Sequence, residues 1–160
     1  MRRNRFIYIL IIIITLIELY WGYNVYINYR GVYDIAFFSI FILQPIWYIW
    51  LLKKEKPQSR FRIIVSVLLS IILPIIIYFT LPNYTYDGGK DIIKDYFNEK
   101  VEFVHYSRDM DTIPVSNKPK NLFTKDRAYY YKIKLRNKYK YFIVNEQTGK
   151  LLELEEGYWE

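Results

Sequence analysis

Three long apolar runs crowd into the first half of this 160-residue chain, and none follows in the second half. They are FIYILIIIITLIELYWGYNVY from Phe6 to about Tyr26, IAFFSIFILQPIWYIWLL from Ile35 to Leu52, and FRIIVSVLLSIILPIIIYFTL from Phe61 to Leu81. A helix of about 20 apolar residues matches the roughly 30 Å hydrocarbon core of a bilayer. The spacing therefore predicts an all-α membrane region over residues 1–82, with three transmembrane helices at about 6–26, 35–52 and 61–81. Residues 83–160 remain for one small globular domain. A barrel of eight βα units, which needs about 250 residues, is excluded by length.

Each run carries its own punctuation. Pro45 follows Gln44 in the middle of the second run, and Pro74 interrupts the third. A proline frees one helical carbonyl, and in lipid that carbonyl needs another donor, from Gln44 or a neighbouring helix. Trp47, Tyr48 and Trp50 gather near Lys53, and Tyr78 and Phe79 near the far end of the third run, as interfacial aromatic belts do. Ser66 and Ser70 share a helix face. Bonding to their own backbone is the expected role, and close helix approach the alternative. Glu18 is the one acid within a run and lies within a turn of Trp21. It is expected to reach the interface or pair with Arg30; an intramembrane polar contact with Gln44 or with a partner's helix is the alternative.

Charge sets an orientation. Residues 1–81 carry nine Lys and Arg against three acids, whereas residues 82–160 are nearly balanced. Arg2, Arg3 and Arg5 precede the first run; Lys53, Lys54, Lys56, Arg60 and Arg62 separate the second from the third; only Arg30 lies between the first two. Bases concentrated in cytoplasmic loops orient membrane proteins. The pattern predicts a cytoplasmic N-terminus, an outer loop at 22–34 and an extracytoplasmic C-terminal domain. The basic start resembles a signal peptide, but no small-x-small site follows, so an uncleaved span is expected. Bases placed this way argue for lipid rather than nucleic acid as the partner.

The second half reads as α+β. Asp87-Gly88-Gly89 is expected to turn into a helix at about 90–99, with Ile92, Ile93, Tyr96 and Phe97 on one face. Like charges at i,i+4 (Lys90-Lys94, Asp91-Asp95) leave that helix dependent on packing. Glu102–Tyr106 reads as a strand, and Asp109–Lys125, with Pro114 and Pro119, as a loop. In Ala128–Arg136, Tyr129, Tyr131, Ile133 and Leu135 alternate with Tyr130, Lys132, Lys134 and Arg136, the pattern of a half-buried strand. A tight connection at Asn137-Lys138 leads to a partner strand at Tyr139–Val144. A turn at Gln147–Lys150 leads to a last strand at Leu151–Glu155. One helix on a three- or four-stranded antiparallel sheet is predicted.

Catalytic signals are sparse. The absence of cysteine removes disulfides, thiolate metal sites and thiol nucleophiles. His105 is the single histidine, so no two-histidine metal site exists within the chain, and Ser107 nearby does not make a triad. Asp109 and Asp111 lack the spacing of a calcium loop and are expected in a solvated loop. No catalytic residue, metal or other cofactor is expected, and the chain reads as non-enzymatic. The most distinctive surface is a basic strand face of Tyr130, Lys132, Lys134 and Arg136, joined by Lys138 and Lys140. It suits an anionic lipid headgroup, a wall polyanion or an acidic protein patch, or it simply protects the sheet from edge pairing.

The run YYYKIKLRNKYKYFIVNEQTGKLLEL, Tyr129–Leu154, resembles the second half of a PepSY-type domain, in which a strand, a turn, a Tyr-rich strand and a Thr-Gly-Lys turn precede a last strand. The helix near 90–99 falls where such a module has one, whereas the long 109–125 segment departs from the pattern. The resemblance implies an extracytoplasmic, non-catalytic module that contacts or restrains a protein or peptide partner. With two alanines and abundant Ile, Tyr, Lys and Asn, the composition is that of an AT-rich bacterial genome. The expected role is partner binding at the bacterial cell envelope. The alternatives are immunity against a secreted peptide or toxin, or an accessory subunit of a transporter or sensor.

Overall fold

The computed structural model describes residues 2–53, 59–98, 100–105, 107–115 and 122–159. Lys54, Lys56, Glu99, Tyr106 and Pro119, singled out above, lie outside them, as do the side chains of Arg2, Arg3, Arg5, Lys53, Arg60, Arg62 and Ser66. The chain divides into two compact units, one of Met1–Asn24 and Ile35–Leu81, the other of Val25–Asp34 and Pro82–Glu160.

The first unit is helical. Helix α1 runs Arg2–Tyr29, α2 Ser39–Lys53 after a 3-10 turn at Ile35–Phe38, and α3 Ser59–Thr80. Among the described residues one helix, Tyr8–Tyr29, is long and apolar enough to cross a membrane; Ile35–Trp50 and Val67–Thr80 are shorter apolar stretches. Pro45 and Pro74 sit inside α2 and α3. Gly22 is required where it stands, because a Cβ there would lie 2.5 Å from the Phe38 ring. That ring meets Trp21 edge-on at 5.6 Å and Phe41 at 5.7 Å.

The second unit is α+β: helix α4 (Tyr86–Phe97) with strands β1 (Glu102–Val104), β2 (Thr112–Pro114), β3 (Arg127–Leu135), β4 (Lys138–Val144) and β5 (Leu151–Leu154). All pairings are antiparallel, in the order β1-β3-β4-β5, and β2 also pairs with β3. The sheet thus has five strands rather than three or four, because the expected loop after Asp109 contains β2.

Helix α4 begins earlier than expected. Thr85, in extended conformation, caps it by accepting from the Gly88 amide, so Asp87-Gly88-Gly89 form its first turn, not a preceding turn. Asp87 near the positive end of the helix dipole favours that start. Asn98, with φ of 49°, closes the far end by donating to Lys94 O. Opposite charges also meet at i,i+3, as Asp87–Lys90 and Asp91–Lys94, both at 2.7 Å. Tyr86, Gly89 and Ile93 form the buried stripe, and Tyr96, expected inside, is 65% exposed.

The core beneath α4 joins Tyr86 and Ile93 to Tyr129, Tyr131, Ile133, Phe142, Val144 and Val32. Val32 comes from the segment between the first two apolar runs. That segment is stitched in by Asp34 N→Phe123 O (2.8 Å), Lys125 N→Val32 O (2.7 Å) and a bridge between Tyr33 and Thr124. A second cluster on the other sheet face joins Ile113, Tyr130 and Tyr141, with Ile143 and Leu154 against it.

Candidate functional site

The basic strand face is resolved by the β3–β4 register. Leu135 pairs with Lys138, leaving Arg136 and Asn137 as a two-residue turn, both with positive φ (48° and 64°). Positive φ at both central residues marks the hairpin turn whose twist suits the flanking strands. Tyr130, Lys132 and Lys134 then share a face with Ile143, Tyr141 and Tyr139. Lys138 and Lys140 pair with Leu135 and Ile133, which places them on the opposite face, toward α4. The six residues grouped in the sequence therefore occupy two faces and a turn. Antiparallel pairing across two loop residues couples even positions on β3 to odd positions on β4.

The face that remains is aromatic as much as basic. Lys132 Nζ lies 4.2 Å from the Tyr139 ring centroid and 5.6 Å from that of Tyr141. A cation held over ring faces keeps its charge while losing freedom. Tyr130 is 2% exposed, stacked 6.4 Å from Tyr141 and parallel to it within 11°, so it supports the face rather than presenting itself. Lys134 lies between Glu102 of β1 and Tyr139, which is 53% exposed. Leu152 of β5 is also exposed, beside Ile143. A shallow cleft of about 210 Å³ runs along β4 and β5, lined by Tyr139, Tyr141, Leu154, Lys140, Glu153 and Glu155. On the α4 side, Lys140 Nζ meets Glu153 Oε1 at 2.6 Å and lies 5.8 Å from the Phe97 ring.

A second polar group ties residues 25–34 into this unit. Arg30 Nη1 contacts Asp111 Oδ2 at 2.6 Å, and the Tyr86 hydroxyl donates to Asp111 Oδ1 at 2.9 Å. Arg30 and Lys90 lie 4.8 and 4.9 Å from the Tyr86 ring centroid. Asp111 is thus buried and committed to Arg30, not solvated in a loop, while Asp109 is exposed. The Arg30 partner is Asp111 rather than Glu18. Burial pushes the Tyr86 phenol above its ordinary value, with the Asp111 charge adding to it. Burial does the same to Tyr129 and Tyr131. The hydrogen bond from Lys90 holds Asp87 below the usual carboxylate range. No sequence signal points to the Arg30–Asp111 pair; its members are 81 residues apart.

In the helical unit Glu18 and Gln44 are brought together, both buried, with the Gln44 amide beside the Glu18 carboxyl. Gln44 Nε2 donates to Ser70 Oγ at 2.7 Å, and that oxygen also shares a hydrogen bond with the Tyr48 hydroxyl. Among the described residues no group of three His, Cys, Asp or Glu is placed to hold a metal. His105 and Ser107 are exposed beyond the end of β1. No protein-family model, no curated protein and no solved structure matches this chain.

Proposed function

We propose that the chain is a non-enzymatic, three-span membrane protein of the bacterial envelope, whose PepSY-like outer domain binds a protein or peptide partner through the Lys132–Lys134–Tyr139 face. The observation that carries the membrane part is an inverted distribution in the helical unit. Phe79 is 80% exposed and Ile46 64%, while Glu18, Gln44 and Thr15 are buried. Large apolar side chains outward and polar ones inward suit lipid as the solvent. Connectivity adds to it. Val25–Asp34 and Pro82–Glu160 belong to one unit, so whichever side holds them, residues 35–81 return to it and cross an even number of times. Helix α3, 22 residues long, spans about 33 Å at 1.5 Å per residue. With the basic segments cytoplasmic, an odd number of spans supports an outside location for the α+β unit.

The face suits a partner because it combines rigid aromatic rings, an exposed leucine and a cation held in place, the chemistry enriched at interface centres. The lack of native cysteine makes the topology directly testable. A single cysteine at Asn137 should react with a membrane-impermeant maleimide in intact cells, and one at Ser59 only after permeabilisation. The reverse pattern rejects the orientation. A photo-crosslinking residue at Tyr139 should then give an adduct of discrete mass that is lost with Lys132→Glu. Recovery of the uncrosslinked chain alone rejects the binding face.

A further inference from the structure

The polar cluster among α1, α2 and α3 has more acceptors than donors. Glu18 is 5% exposed and Gln44 7%. Both carboxyl oxygens of Glu18 and Oε1 of Gln44 are buried without a hydrogen-bond donor. Gln44 stands beside Glu18 but meets it outside hydrogen-bond geometry, since its Nε2 is turned to Ser70 Oγ. Around them are Tyr48 on α2, Ser70 on α3 and, one turn before Glu18 on its own helix, buried Thr15. None of these neighbours is a cation. An ionised carboxylate in an apolar interior is stable only when paired or richly hydrogen-bonded, and the Gln44 carbonyl oxygen is a second buried acceptor without a donor. A proton removes both difficulties, because a carboxylic acid is neutral and becomes a donor.

We infer that Glu18 is a proton-binding site: its carboxyl is held as the neutral acid, and the acid O–H donates to Oε1 of Gln44. One proton then completes a chain of hydrogen bonds from Glu18 on α1 through Gln44 on α2 to Ser70 on α3, with Tyr48 closing it. Loss of that proton places a negative charge opposite the Gln44 carbonyl and opens the chain at its first link. The packing of the three helices is thereby coupled to proton occupancy of one side chain. The inference needs only the burial of these groups within the helical unit, so it stands whichever solvent bathes the outer helix faces.

Infrared spectra of the purified full-length chain at pH 7, in water and in deuterium oxide, test it. The native chain should show a carboxylic-acid carbonyl band that shifts on deuteration and disappears in Glu18→Gln. That variant, a neutral side chain that also donates, should keep its melting temperature within a few degrees. In Gln44→Leu the band should persist but move, because its acceptor is gone. A native spectrum without the band, a band that survives Glu18→Gln, or one indifferent to Gln44→Leu overturns the inference. So does a melting temperature raised by sodium chloride over choline chloride in the native chain and not in Glu18→Gln, which assigns the site to a metal cation. None of these readouts depends on topology, so labelling at Asn137 and this test fail independently.

Discussion

The two units differ in what they expose and in how they hold a buried acid. In the α+β unit the core beneath α4 is aromatic and aliphatic, with Tyr129, Ile133 and Val144 fully enclosed. In the helical unit leucine, isoleucine and phenylalanine look outward, and the enclosed side chains include Thr15, Glu18 and Gln44. In the α+β unit the buried carboxylate of Asp111 is paired with Arg30 and the Tyr86 hydroxyl. Among the described residues Glu18 has no such counter-charge, and amide and hydroxyl groups lie beside it instead. One rule, that side chains sort by the solvent outside, gives both patterns if water bathes one unit and lipid the other.

The largest way to break the contrast is to remove the counter-charge. Asp111→Ala leaves the Arg30 guanidinium and the Tyr86 hydroxyl without their acceptor, and should destabilise the α+β unit by about 3 kcal/mol. Chemical denaturation followed by the circular dichroism of the sheet measures it. A loss under about 1 kcal/mol would mean that the pair is solvated and adds little to holding residues 25–34. Of about the same size is the effect of an outward charge. Ile46→Arg, at mid-helix, should cost about 2.5–3.5 kcal/mol in membrane insertion, while Tyr139→Arg, also exposed but on the sheet, should stay within about 0.5 kcal/mol. Equal tolerance of both substitutions would erase the distinction between the two solvents.

What the sequence discloses is what repeats locally. The alternation through Tyr129–Leu135 has period two and puts Tyr129, Tyr131 and Ile133 on the core side, where they lie. The apolar runs locate α1, α2 and α3 within a few residues. What stays hidden depends on partners far along the chain. Grouping Lys138 and Lys140 with the basic face puts them on the wrong side, because their side is set by where the turn closes. Shifting the turn by one residue flips every side chain after it. Strand β2 is three residues long and ends in proline, too short to show a period. Gly88 and Gly89 look like a turn because the reason for a small residue in that helix is Tyr131, more than forty positions later. The joining of Val32–Asp34 to Phe123–Lys125 has no local signature at all.

Alkaline pH should act on the α+β unit through its buried phenols. Tyr86, Tyr129 and Tyr131 each donate a hydrogen bond, to Asp111 Oδ1, Tyr84 O and Tyr86 O. Burial raises all three above the ordinary tyrosine value. The unfolded chain releases these protons near pH 10 and the folded chain holds them, so the stability they confer is complete below about pH 10 and declines above it. Each phenol contributes about 1.4 kcal/mol of loss per pH unit beyond that point. Denaturation midpoints across that range should fall more shallowly in Tyr131→Phe than in the native chain. Identical slopes would show that Tyr131 is open to water.

The smallest and sharpest test is a methyl group on α4. Gly→Ala inside a helix ordinarily gains about 1 kcal/mol. At Gly89 the added Cβ would run into the Tyr131 phenol, which is anchored by its bond to Tyr86 O. Overpacking a buried contact costs about 1–3 kcal/mol, so Gly89→Ala should come out destabilising by about 1 kcal/mol. At Gly88 the nearest atom to a new Cβ is Thr85 Oγ1 at 3.3 Å, on the half-exposed side of the first turn. Gly88→Ala should therefore be neutral or slightly stabilising. If both alanines stabilise the chain alike, α4 does not rest on Tyr131, and the tight aromatic packing that sets this unit apart from the helical one is looser than its geometry implies.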